Sequence, residues 1–256
     1  MKTLVTANQK GGVGKTSTLV HLAFDFFERG LKVAVIDLDA QANASHTLQA
    51  FKSGLTASEL FAITPPDYIQ ATANSKGMIL IESDTGLANM DKMTLQEAGR
   101  NFQSAIKGLD EQGYDVCLID TAPSLGVTMA VALLASDYVL SPIELEAYSI
   151  QGIKRMVTTI TNIRRANPKL KFLGMVPSKV DARNPRHGRH LKELNQAYPQ
   201  LMVPAGIGLR SSIADALASC VPVWKIKKTA ARKATQELRA LAAHVFEKME
   251  ITNDNR

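Results

Sequence analysis

The stretch Gln9-Lys10-Gly11-Gly12-Val13-Gly14-Lys15-Thr16-Ser17 constrains this 256-residue chain more than any other. It lies between an apolar-leaning run at 3–8, which reads as a short strand, and a helical run at 18–29. A strand, a glycine loop and a helix in that order aim several backbone N–H groups and a positive helix end at one spot, and that combination suits phosphate. Three glycines let the backbone approach an anion with no Cβ in the way. The plainer alternative is a glycine-rich turn carrying solvated lysines.

The phosphate-loop pattern G-x-x-x-x-G-K-[ST] fits at Gly14-Lys15-Thr16, but Gln9 takes the place of its first glycine and Lys10 adds a second ammonium group. In such a loop Lys15 reaches the β- and γ-phosphates and the Thr16 hydroxyl coordinates Mg²⁺, which leaves Lys10 surplus. The string KGGVGKTS resembles the deviant Walker A motif of the ParA/MinD family of ATPases. The resemblance implies that Lys10, Gly11, Gly12, Val13, Gly14, Lys15, Thr16 and Ser17 hold ATP. It also implies that Lys10 reaches across a homodimer to the nucleotide of the partner subunit.

Residues 32–37 form a near-continuous apolar run, as expected of a parallel strand buried on both faces. The run closes on Asp37; if strand geometry continues, Asp39 shares its face, at the carboxyl end where open α/β sheets place ligands. Both carboxylates are candidate partners of a magnesium–phosphate cluster, although Asp and Asn here would also cap a helix near Ser45. The segment DLDAQANAS resembles the D-x-D-P-Q-G-N motif of the same family, with Ala40 and Ala42 replacing proline and glycine. By that resemblance Asp39 positions the attacking water. A second apolar run at 114–120 ends on Asp120 and continues as Thr121-Ala122-Pro123-Ser124, a Walker B pattern. Asp120 is expected to hold the Mg²⁺ shell opposite Thr16 through water.

Further strands are expected at 78–82, 137–142 and 171–178, and helices at 93–112, after Gly152 to about 165, and at 211–219. Residues 52–77, interrupted at 64–67 and 74–77, carry no readable chemistry. The expected fold is α/β: a mostly parallel twisted sheet with helices on both faces, a P-loop NTPase of the deviant Walker A class. One domain over 1–256 is expected, with no N-terminal helix-turn-helix domain, and hence no promoter repression by this chain alone.

The resemblance runs from Lys2 to about Met249 and is closest to the IncC type of plasmid partition ParA. In SPIELEAYSIQG, Glu144 stands where the family often has glutamine, and an acid there needs a partner or solvent. By resemblance Ser178, Asp181 and Pro222 stand near the adenine, while Trp224 fits either base stacking or a hydrophobic anchor. The implied function is DNA partition by a slow ATPase that a ParB-type partner stimulates, with Arg210 holding DNA after dimerisation.

The formal net charge of +6 is unevenly spread, because residues 183–233 carry ten Lys/Arg against two acids. Arg183, Arg186, Arg210, Lys225, Lys227, Lys228, Arg232 and Lys233 are the candidate polyanion contacts; a merely solvated surface is the plainer alternative. Zinc-finger spacing, an RNA-binding aromatic signature and a helix-turn-helix extension are all missing from the sequence, so nonspecific DNA is the expected partner. Cys117 and Cys220 are too few for a disulfide framework or a metal cluster, which points to a reducing cytoplasm; association with the nucleoid is what the resemblance implies. No apolar run approaches the ~20 residues of a membrane span, and no signal peptide is expected. The rival function, a MinD-like membrane-cycling ATPase, would need an amphipathic terminal helix, whereas 251–256 is polar.

Overall fold

The structure, a computed structural model, describes residues 1–62, 77–146 and 149–251. The break at 64–67, most of the turn at 74–77, Ala147 and Tyr148, and the polar end from Thr252 onward lie outside them.

Seven strands pair in parallel: β1 (Lys2–Thr6), β2 (Val33–Leu38), β3 (Lys52–Thr56), β4 (Met78–Glu82), β5 (Val116–Thr121), β6 (Tyr138–Glu144) and β7 (Lys171–Ser178). Their order across the sheet is β3-β4-β2-β5-β1-β6-β7. All residues of β2 and β5 are buried, because a parallel sheet hides both faces beneath its crossover helices. Alternate strand residues therefore enter opposite cores. Val5, Ala34 and Ile36 pack with α3 (Leu95–Glu111), α4 (Val127–Ala135) and α5 (Ser149–Arg164). Leu4, Val33 and Val35 pack with α1 (Lys15–Glu28) and α8 (Thr229–Lys248). The expected α/β architecture with helices on both faces is the one found.

Register places the chemistry. Asp120 of β5 is the Cα partner of Thr6 on one side and of Asp37 on the other, so three strand ends bring polar groups to one edge. The helix near Ser45 is α2 (Asn43–Thr47), and α6 (Pro185–Ala197) and α7 (Ser211–Ala218) follow β7. Trp224 serves as an anchor: its ring meets His21 edge-on, Arg239 stacks 3.7 Å over it, and Nε1 donates to Glu28.

Candidate active site

The loop between β1 and α1 is fixed by its own first residues. Asn8 Nδ2 donates to the Pro142 carbonyl, Asn8 Oδ1 accepts from Lys10 N, and Gln9 Nε2 donates to Thr159 Oγ1 on α5. The glutamine that replaces the first motif glycine thus ties the loop to a neighbouring helix. Gly12 and Gly14 have φ of 75° and 92°, in the left-handed region. At Gly14 a Cβ would stand 2.6 Å from Ser178 Oγ, so only glycine fits there. Gly14 also caps α1, whose first turn contains no acid, and the N–H groups of that turn are left for an anion.

A cavity of about 640 Å³ opens over this loop. Gly11, Gly12, Gly14, Lys15, Thr16, Ser17 and Asp39 line it, as the sequence reading expects. Lys15 is buried and donates to the Lys10 carbonyl at 3.4 Å. Burial holds its pKa below the ordinary lysine value, and Asp120 and Asp39 oppose that shift. Thr16 Oγ1 donates to Asp120 Oδ2 at 2.6 Å, and Thr6 Oγ1 donates to Asp120 Oδ1. Asp120 is fully buried behind Thr16, and burial, with Asp37 beside it, pushes its pKa up to about 7.

Asp37 departs from expectation. Its Oδ2 accepts from both N–H and Oγ of Ser45, and its Oδ1 accepts from Asp39 N. It is buried, absent from the cavity lining and committed to its own loop, where it accepts from Ser45 in the first turn of α2. Asp39 remains on the cavity: Gln41 N donates to its Oδ1, and no hydrogen bond among the described residues engages its Oδ2. Ser178 packs against Gly14, whereas Asp181 and Pro222 do not line the cavity. Asp181 grips Arg183 instead, and Pro222 opens the turn that carries Trp224. The far wall consists of Asn43, His46 and Thr47 of α2 with Leu217 and Ala218 of α7, and Lys179 closes another side. Asn43 belongs to the DLDAQANAS motif and Lys179 to the stretch between Ser178 and Asp181, whereas His46, Thr47, Leu217 and Ala218 carried no signal in the sequence.

Lys10 lies outside its own cavity. Its ammonium group meets Glu144 Oε2 at 3.0 Å and Glu146 Oε2 at 2.5 Å, and the Glu146 hydrogen bond is the largest cause of its raised pKa. Glu144, the acid that needed a partner, also meets Lys179 at 3.3 Å.

His21 joins the loop helix to the segment before α8. Val223 N donates to Nε2, so the proton sits on Nδ1 and is donated to the Ser17 carbonyl at 2.6 Å. Burial lowers its pKa to about 4 from the ordinary 6.5. The unfolded chain therefore binds the proton first, and this group's stabilisation, full above 6.5, is lost as pH falls towards 4. Denaturant titrations across that window should show a wild-type loss of up to about 3 kcal/mol that His21→Leu lacks. Equal pH slopes in the two proteins would remove His21 from this role.

On the basic side, Arg183, Arg210 and Lys228 are ion-paired with Asp181, Glu237 and Asp215. The Arg210 fork is held by both Glu237 oxygens. Among the described residues no ion pair engages Arg186, Lys225, Lys227, Arg232 or Lys233. A groove of about 650 Å³ runs past Trp224, Lys227, Lys228 and Arg232 at the start of α8.

The AAA domain family model matches residues 1–172. The chain is 69% identical to protein IncC of Escherichia coli over 98% of its own length and 71% of that protein. It is 28% identical to the chromosome partitioning protein ParA of Caulobacter vibrioides, covering 87% of this chain and 86% of ParA. Cobyrinic acid a,c-diamide synthase from Mycobacterium smegmatis, solved with an ATP analogue and magnesium, superposes with a TM-score of 0.77 at 26% identity, covering 98% and 96% of the two chains. A glycine loop with two diverging lysines, set in an all-parallel sheet and carried in a sequence this close to IncC, makes the chain a member of the ParA/MinD family of P-loop ATPases, in its plasmid-partition branch.

Proposed function

We propose that the protein binds ATP with Mg²⁺, pairs with a second copy across two nucleotides, and in that state holds DNA without regard to sequence until a ParB-type partner triggers hydrolysis. The observation that carries this proposal is the divergence of the two loop lysines, one buried in the cavity and the other directed away from it. A loop serving one subunit alone needs only Lys15. Two exposed ion pairs hold Lys10 in place, and such pairs are worth about 0–1 kcal/mol each, so a phosphate of the partner's nucleotide can displace them.

The donor set fits the metal. Thr16 Oγ1 and the carboxylates of Asp39 and Asp120 are hard oxygen ligands, and Asp120 sits one hydrogen bond behind Thr16, where a water shell would meet it. Mg²⁺, when bound, neutralises phosphate charge. Lys15 binds the phosphates, the first-turn N–H groups of α1 orient them, and Asp39 Oδ2 holds the attacking water. No arginine is among the described residues lining the cavity, and this supports slow intrinsic turnover awaiting a partner.

The start of α8 supports a polyanion ligand. Lys228, Arg232 and Lys233 crowd the positive end of a helix whose first turn has no acid, an arrangement that costs about 0.3–1 kcal/mol per cation. A rule of local stability broken at one place marks a functional surface. With ATP the dimer presents two such faces to one duplex, so affinity should rise steeply on dimerisation. A salt titration on unrelated duplexes tests this. Lys227→Ala combined with Arg232→Ala is expected to flatten the log–log slope by about 0.9 for each phosphate that is no longer neutralised, with ATP-dependent pairing intact. Strong sequence preference, or equal affinity with ADP, would refute the DNA assignment.

A further inference from the structure

Lys179 follows the last residue of β7 and is one of the few residues other than glycine with a left-handed backbone, at φ 54°. The chain around it is pinned: Val180 N donates to the Ile207 carbonyl and Leu209 N to that of Val180. A lysine forced into this conformation by its flanks has its side chain aimed by the fold, and strain of this kind collects at ligand clamps. The side chain runs towards the glycine loop. Its Nζ lies 3.9 Å from where a Cβ on Gly12 would stand, and Lys179 lines the same cavity as Lys15 and Thr16. Lys10, by contrast, does not line that cavity. The only acid that an ion pair gives Lys179 among the described residues is Glu144, shared with Lys10, and the lysine side chain is about half exposed.

We propose that Lys179 is a second phosphate-binding cation of the subunit's own nucleotide, exchanging Glu144 for a phosphate oxygen when the cavity fills. The proposal rests on the ATP reading above and adds a residue to it. A single ion pair whose lysine is half exposed is weak, while a phosphate offers more charge and several acceptor oxygens at a site already rich in N–H donors. The exchange leaves Glu144 facing Lys10, so charge in the cluster stays balanced until Lys10 crosses to a partner.

The test is a binding titration of ATP, ADP and AMP, each with Mg²⁺, against wild type, Lys179→Gln, Lys179→Arg and Glu144→Gln, all first checked for native melting. Lys179→Gln should weaken ATP binding about tenfold, the loss of one charge-assisted hydrogen bond, and leave AMP nearly unchanged; Lys179→Arg should restore most of the loss. Glu144→Gln should bind ATP as well as wild type or better. If Lys179→Gln binds ATP like wild type, or if Lys179→Gln and Glu144→Gln weaken it equally, Lys179 merely neutralises Glu144 and the proposal falls. A wild-type protein that binds none of the three nucleotides would instead overturn the ATP assignment itself.

Discussion

Asp39→Ala is expected to lower ATP turnover at least about 100-fold while leaving a long-lived, ATP-bound dimer on DNA. The geometry separates the two carboxylates of the motif. Asp37 gives its oxygens to Ser45 and to Asp39 N, and therefore holds the loop; Asp39 borders the cavity with Oδ2 unengaged among the described residues. Removing Asp39 takes away the group proposed to hold the water and leaves Lys15, Thr16 and the glycine loop in place. Single-turnover kinetics beside a DNA-retention assay would show assembly retained and hydrolysis lost. Unimpaired turnover in this variant, with or without a ParB-type partner, would transfer the role to another group. Asp37→Ala should behave differently, losing stability through a buried Ser45 N–H left without its acceptor, at a cost of about 1–3 kcal/mol.

The two loop lysines should fail in different ways. Lys15→Ala removes the buried cation that faces Asp120 and Asp39, and should weaken ATP binding by about 100-fold or more, in line with the cost of truncating one partner of a desolvated charge pair. Lys10→Ala removes an exposed side chain held by Glu144 and Glu146, so ATP binding by the single subunit should remain within a few-fold of wild type. What it should lose is the ATP-dependent dimer. Equilibrium binding and light scattering on the same samples separate the outcomes, and a Lys10→Ala protein that dimerises normally with ATP would end the cross-subunit role.

The phosphate loop was readable because its information is local: glycines, a lysine and a hydroxyl within nine residues, flanked by an apolar run and a helix. The carboxylates at 37, 39 and 120 were readable for a related reason, since buried parallel strands announce themselves as apolar runs that stop on charge. Which carboxylate faces the cavity was not readable, because it depends on the Ser45 hydroxyl reaching back eight residues to Asp37. Strand β3 escaped notice because it is a short edge strand, polar and broken by Gly54 in a left-handed conformation. The eight-charge surplus at 183–233 was legible as a sum, but its partition was not. Arg210 and Glu237 lie twenty-seven residues apart in sequence and meet only in the fold, so the arginine expected to hold DNA must first leave a two-oxygen grip. The acid at 144 was visible as a group in need of a partner, and the fold supplies it with two lysines.

Sedimentation velocity of the wild-type protein with ATP, with ADP and without nucleotide, each repeated with a random-sequence duplex, tests the central claim most directly. The expected result is a monomer in the ADP and nucleotide-free samples, a dimer with ATP, and co-sedimentation with DNA in the ATP sample alone. A dimer that forms equally in all three states, or DNA carried equally by the ADP form, would contradict it.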